Sequence, residues 1–267
     1  LHPVAHSFPT RRSSDLGDLV EAATGGFTVD TEPPSATVAT DTTLFSPEGD
    51  GNKDIVLITQ RTSSEELWEA KITDADGGVV RTEFWQGTAD PFVWDGTDQE
   101  GSTVADGTYR YELAAQDRAG NSVRRTIPEI VVDTRPTSVA VSASETAISP
   151  AEDGTPNALR FNLYAVPEEG IEEWSLVVQN SRGRSVRDLT SGSPRRLPES
   201  IAWNGTNEDG NVVDGTYTAL LKVVYAKGNT PLSESNQFIV DTRAPTALVS
   251  AEHTVFSPDG DGLVDTI

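Results

Sequence analysis

The fold is decided by the stretch WDGTDQEGSTVADGTY, which runs from Trp94 to Tyr109. It returns as WNGTNEDGNVVDGTY from Trp203 to Tyr217, with the tryptophan, the glycines and the final Asp-Gly-Thr-Tyr in the same order. Internal similarity of this kind is the signature of a repeat architecture. The chain therefore contains at least two copies of one structural unit.

Further matches on both sides of this stretch set the length of the unit. A closing Val-Asp-Thr string occurs three times, with its aspartate at Asp30, Asp133 and Asp241. An opening string also occurs three times, as FSPEGDGNKD from Phe45, ISPAEDGTPN from Ile148 and FSPDGDGLVD from Phe256. The markers recur at a spacing of roughly 100 residues, which suits one small β-sandwich domain.

These markers predict how the chain is divided. We expect complete domains at 35–134 and 137–243, the tail of a preceding repeat at 17–34 and the truncated start of another at 245–267. Residues 1–16 are set aside as an artefact, because the stretch HSFPTRRSSDL within them looks like the translation of a common sequencing adapter. The chain has no methionine, so we expect its true N-terminus and any signal peptide to be missing.

Between the markers each copy has the pattern of short β-strands. Segments such as IVLIT (Ile55–Thr59), WEAKIT (Trp68–Thr73) and YRYELAA (Tyr109–Ala115) are rich in β-branched and aromatic residues, and turn-forming residues separate them. The predicted fold is all-β, with tandem immunoglobulin-like or fibronectin-III-like β-sandwiches placed end to end. Proline in each short link restricts φ, which predicts a rod of limited bending.

The repeated tryptophan-to-tyrosine stretch and the Phe-Ser-Pro opener resemble the immunoglobulin-like domain of the bacterial flagellar hook-capping protein. The resemblance covers nearly everything from residue 35 onward. It implies a module of the kind that recurs in multi-repeat bacterial envelope proteins. The hook-capping protein has one such module, whereas this chain has tandem copies, so a role in flagellar hook assembly is the less favoured implication.

Composition excludes several classes of function. The net charge of −22 argues against nucleic-acid binding, which depends on Lys and Arg contacts with phosphates. No apolar run approaches the roughly 18 residues of a membrane span. The absence of cysteine excludes thiol catalysis, disulfides and thiolate metal sites. The balance suits an exported protein of the periplasm or the cell surface.

The sequence offers no constellation typical of an enzyme. Of the three histidines, His2 and His6 fall in the set-aside segment and His253 stands alone, so no Ser-His pair or histidine cluster can be built. Carboxylates are abundant, but those at marked positions occupy turns that both copies share. We therefore expect no catalytic residues.

The opening loop is the one candidate metal site. Oxygen side chains alternate along the first copy at Glu48, Asp50, Asn52 and Asp54, and the third copy offers Asp259, Asp261 and Asp265. Such spacing can converge on Ca²⁺, although the bidentate glutamate of an EF-hand is missing. The alternative is an Asp/Gly turn whose carboxylates cap backbone amides. The sequence leaves both interpretations open, and no other cofactor is expected.

The aromatic residues divide into core and contact candidates. Those at matched positions are predicted to be buried, namely Trp68, Trp94, Trp174 and Trp203. Each Asp-Gly-Thr-Tyr is predicted to be a tight turn, with glycine at positive φ, a capping aspartate and a tyrosine hydroxyl bonded to the backbone. Trp85 has no counterpart in the second copy and is the best candidate for an exposed contact.

Two functions from different classes follow. The leading hypothesis is a non-catalytic structural or spacer region of an exported envelope or surface protein, whose partners are further domains of the same chain. The alternative is an adhesion module that binds envelope proteins or glycans, using Trp85 and strand edges.

Overall fold

The computed structural model describes residues 29–150, 158–243, 246–250, 255 and 260. The set-aside segment 1–16 and most of the predicted flanking pieces, 17–34 and 245–267, lie outside this part of the chain. Every regular element within it is a β-strand, which confirms the all-β prediction. None of the described residues belongs to a helix long and apolar enough to span a membrane.

The first copy forms a sandwich of two sheets. Its strands are β1 (Ala36–Thr40), β2 (Leu44–Phe45), β3 (Val56–Thr62), β4 (Glu65–Thr73), β5 (Val79–Gly87), β6 (Phe92–Trp94), β7 (Gly107–Gln116) and β8 (Ser122–Val132). One sheet has the order β1-β3-β6 and the other has the order β2-β8-β7-β4-β5. Neighbouring strands are antiparallel, except that β2 runs parallel to β8.

The second copy repeats this arrangement. Its strands are β9 (Ser138–Ala143), β10 (Ala147–Ile148), β11 (Leu159–Val166), β12 (Ile171–Asn180), β13 (Ser185–Asp188), β14 (Ser200–Trp203), β15 (Gly215–Tyr225), β16 (Leu232–Glu234) and β17 (Phe238–Val240). The sheets have the orders β14-β11-β9 and β10-β17-β15-β12-β13, and β16 also pairs with β15. The short β10 runs parallel to β17, as β2 does to β8.

Alternation along the strands builds two separate hydrophobic cores. In β7, for example, Tyr109, Tyr111, Leu113 and Ala115 are buried, and the residues between them are more exposed. Side chains with this period of two point to one face of a sheet. The buried residues form one cluster within 36–132 and another within 141–240. Each copy therefore has a core of its own.

The four matched tryptophans lie in these cores, as predicted. Each is at most 3% exposed, and each indole N–H donates to a backbone carbonyl at 2.8–3.1 Å. The acceptors are Ser63, Thr97, Ser193 and Thr206. A buried indole N–H needs such a partner, because leaving it unpaired is costly.

The opening string packs directly on the tryptophan string. Phe45 meets the Trp94 ring edge-to-face at 5.5 Å, and Pro47 covers Gly96, where a Cβ atom would lie 2.7 Å from the proline Cγ. Gly96 has φ +74, a conformation that favours glycine. In the second copy Pro150 covers Gly205 in the same way, with a distance of 2.8 Å. The two strings recur together because they form one contact.

The Asp-Gly-Thr-Tyr turn fixes the chain as it leaves the domain. The Tyr109 hydroxyl donates to the Ala105 carbonyl at 2.7 Å, which confirms the predicted tyrosine–backbone bond, and burial raises the pKa of Tyr109. Asp106 accepts the Thr134 N–H and hydroxyl, both at 2.8 Å. Asp106 therefore caps the closing Val-Asp-Thr string.

The second copy makes the same bonds through Tyr217, Asp214 and Thr242. The predicted positive φ at Gly107 and Gly215 was wrong, because both glycines begin strands with ordinary φ angles. The positive-φ glycines of the repeated stretch include those that follow Trp94-Asp95 and Trp203-Asn204 instead.

A matched pair of glycine substitutions tests the contact with Pro47. Gly101→Ala, at φ +83 in open space, should lose about 1 kcal/mol of unfolding free energy because only its φ is unfavourable. Gly96→Ala should lose roughly 2–4 kcal/mol, because the new methyl group also displaces Pro47. Denaturant unfolding followed by tryptophan fluorescence measures both. Equal losses would contradict the proposed role of the contact.

Candidate functional site

The acidic side chains of the opening loop bond to the loop's own backbone. Asp54 accepts the Gly49 N–H through Oδ1 and the Gly51 N–H through Oδ2, both at 2.7 Å. Asp50 Oδ1 accepts the Asn52 N–H at 2.7 Å. These bonds are those of a capped Asp/Gly turn. The geometry thus directly supports the capping interpretation of the loop.

The same loop is the candidate cation site. In the described part of the chain, no three His, Cys, Asp or Glu residues are grouped so as to hold a metal ion. One observation favours a cation: Asn229 of the second copy donates to Glu48, while its buried Oδ1 has no hydrogen-bond partner among the described residues. Each of the bonded oxygens of Asp50 and Asp54 accepts one amide and keeps a second lone pair, so calcium binding here stays a prediction. Asp259, Asp261 and Asp265 lie outside the described residues.

The opening loop also contacts the following domain. Lys53 donates to the Ala226 carbonyl at 2.6 Å, and Asn229 donates to Glu48. Gly228, at φ +112, lies so close to the loop that a Cβ atom would be 2.6 Å from the Asn52 carbonyl oxygen. The second copy's turn between β15 and β16 therefore docks on the first copy's opening loop.

A buried lysine completes this junction. Lys227 is 3% exposed and donates to the Asp133 carbonyl, the Asp133 carboxylate and the Arg135 carbonyl. Arg135 binds the same carboxylate through two nitrogens at 3.0 and 2.7 Å. Hydrogen bonds lower the pKa of Asp133 to about 2, with the largest effect from Arg135 and a smaller one from Lys227.

The corresponding turn of the first copy lies against its own linker. Asn121 donates to the Asp30 carbonyl at 3.2 Å and to Asp117 at 2.8 Å. Its neighbour Ala119 occupies the position that Lys227 has in the second copy and is exposed. Sequence reasoning matched these turns but missed their role. A difference between the copies could have indicated this role, since Lys227 replaces an alanine at one end of an otherwise matched turn.

The contact candidate Trp85 lies on the edge strand β5. Its indole is half-buried, packs against the first core and meets Phe92 edge-to-face at 6.4 Å. The adjacent Phe84 points the other way and is 58% exposed. A contact role for Trp85 stays a prediction, and Phe84 is the larger apolar surface that sequence reasoning missed.

Comparison with known proteins places these features in a family. Residues 44–125 and 146–228 both match the FlgD Ig-like domain, and together they make up more than half of the chain. The chain belongs to this family. Each FlgD Ig-like match begins just before the opening string; the first ends beyond the first copy's turn, and the second ends at Gly228, within the turn that docks.

Other relatives are more distant. The C5a peptidase of Streptococcus pyogenes serotype M6 is 23% identical over 234 residues, which cover 76% of this chain and 19% of the peptidase. A tetra-tandem repeat in the extending region of a large adhesion protein is 22% identical, with a TM-score of 0.34, over 82% of this chain and 52% of that one. The fibronectin(III)-like modules of Clostridium thermocellum CbhA are 10% identical, with a TM-score of 0.39, over 80% of this chain and 100% of theirs.

The loop carboxylates lead to a prediction that separates capping from metal binding. Asp54→Ala removes two amide acceptors and should destabilise the first FlgD Ig-like domain by about 1 kcal/mol, whereas Asp50→Ala removes one and should cost less. Both losses should be the same in EDTA and in millimolar Ca²⁺. Thermal unfolding measures them. A calcium-dependent rise in melting temperature that Asp50→Ala abolishes would establish the metal site instead.

The junction aspartate leads to a prediction about acid stability. The folded-state pKa of Asp133 is about 2, below its ordinary value of 3.8. Its stabilising effect should be complete above about pH 4 and should disappear as the pH falls through about 2. The difference in unfolding free energy between wild type and Asp133→Asn should therefore shrink over that window. A constant difference from pH 5 to 2 would contradict the assignment.

Proposed function

We propose that this chain is a non-catalytic spacer region of an exported bacterial cell-envelope or surface protein. The observation that carries the proposal is the junction, where a turn of the second FlgD Ig-like domain docks on the opening loop of the first. Each domain has its own core. In both domains the aspartate of the Asp-Gly-Thr-Tyr turn binds the threonine of the closing Val-Asp-Thr string, where the chain leaves the domain. The partners of such a region are further domains of the same protein.

The roles of the repeated polar residues support a non-catalytic function. Asp106 and Asp214 each bind a linker threonine, and Asp54 binds two loop amides. A carboxylate held in this way stabilises a turn, which is a structural role. The described residues contain no histidine. Tandem copies also favour a spacer over a component of flagellar hook assembly.

One observation favours adhesion as the second candidate. The edge strand β5 presents Phe84 at 58% exposure and Val79 at 54%. Gln99 bonds the edge of β5 at Val80 and Thr82, so this surface offers apolar side chains on which a ligand can pack. Its counterpart β13 has only 4 residues, so this surface belongs to the first domain alone.

A binding screen decides between the two functions. The chain is tested against glycans, peptidoglycan and envelope extracts, together with the variants Phe84→Ala and Trp85→Ala. Tyr164→Ala is the control, because Tyr164 is a 62% exposed aromatic residue of the other domain. The spacer function predicts no saturable binding. Saturable binding that Phe84→Ala or Trp85→Ala abolishes, and Tyr164→Ala retains, would replace it with adhesion.

A further inference from the structure

Two lysine ammonium groups donate hydrogen bonds across the junction, one from each domain. Lys53 of the first domain donates to the Ala226 carbonyl of the second, at 2.6 Å. Lys227 of the second donates in the opposite direction, to Asp133 and Arg135 in the chain that leaves the first. An ammonium group has three donors, and Lys227 has three acceptors. Its buried charge is therefore both hydrogen-bonded and paired with a carboxylate.

The backbone around the first lysine supports a positioning role. Lys53 is the single non-glycine residue at positive φ within the described residues, with φ 50. A side chain in that conformation costs energy and persists only where the surroundings hold it. The Ser46 N–H donates to the Lys53 carbonyl at 3.0 Å, which fixes this residue from the buried side of the loop. The loop is thereby shaped to present its ammonium group to the next domain.

The two lysines are specific to this junction. The chain has four lysines against 42 acidic residues, and two of the four meet here. In the other opening strings the position of Lys53 is taken by Pro156 and Val264, and in the first copy's turn the position of Lys227 is taken by Ala119. None of these three side chains can donate such a bond. The pair is therefore an addition to the shared repeat, made on both sides of one joint.

We propose that Lys53 and Lys227 lock the two domains into a single rigid unit, with the first opening loop acting as the receptor for the turn of the second domain. In the corresponding turn of the first domain Ala119 has no ammonium group, and there Asn121 donates to the Asp30 carbonyl. This inference deepens the proposed spacer function and rests on it.

Spin-label distances test the lock directly. The chain has no cysteine, so labels can be placed at will, and Glu100→Cys and Asp209→Cys put them at the same exposed turn of each domain. Pulsed electron resonance on the full chain should give one narrow distance distribution. Lys53→Ala and Lys227→Ala should each broaden it. The remaining lysines supply the controls, because Lys71→Ala and Lys222→Ala should leave the distribution narrow.

The width of the distance distribution distinguishes a locked joint from a flexible one. Lys53 is exposed, so its substitution should leave both cores intact. An unfolding curve recorded for each variant checks that it is folded. A broad distribution in the wild type, or a narrow one in the Lys53→Ala/Lys227→Ala double variant, would overturn the lock. Either result would leave a spacer with a flexible joint. Ligand binding in the screen described above would instead overturn the spacer function and leave the lock standing.

Discussion

The packing of a proline on a glycine fixes the opening loop of each domain against the repeated tryptophan stretch. Pro47 covers Gly96 so closely that no side chain fits between them, and the neighbouring Phe45 and Trp94 close the core beneath. A residue with a Cβ atom would have to move the proline, and interiors packed at native density transmit such a shift. This contact fixes the start of the opening loop against the end of the sandwich, and the loop then projects from a rigid base.

The chain's exit is fixed at the same end. The Asp133 N–H donates to the Phe45 carbonyl, and Asp106 accepts the Thr134 N–H. The closing string of the domain is therefore hydrogen-bonded to its opening string and to its Asp-Gly-Thr-Tyr turn. The next domain consequently begins beside the loop that it must contact. Junctions between domains of one chain are mobile by default unless specific contacts restrain them. Here the restraint arises from the same motifs that complete the fold, and the lysines add to it.

The fold could be predicted from the sequence, but the site could be predicted only in part. The strand at WEAKIT follows from its period-two alternation, and the burial of Trp94 follows from its matched position in both copies. The contact of Pro47 with Gly96 could not be foreseen, because no local pattern reports which loop covers a glycine. The alternating acids of the opening loop predicted a cation equally well, since the same spacing suits amide caps and metal ligands. The observed bonds of Asp50 and Asp54 support the amide caps, and calcium binding stays a prediction.

Differences between copies carry information that the shared motifs lack. Residues common to both domains, such as the tryptophans and the Asp-Gly-Thr-Tyr turns, have roles that each domain needs for its own stability. Lys227 differs from the matched residue of the first copy, which is an exposed alanine. It introduces a buried positive charge into an acid-rich chain. Burying an ammonium group is costly unless partners surround it, so a lysine at that position is disfavoured wherever no neighbour supplies carbonyls and a carboxylate. A buried lysine at this position is stable only when the preceding domain supplies its partners. Its presence therefore indicates a contact between domains and says nothing about the fold of either one.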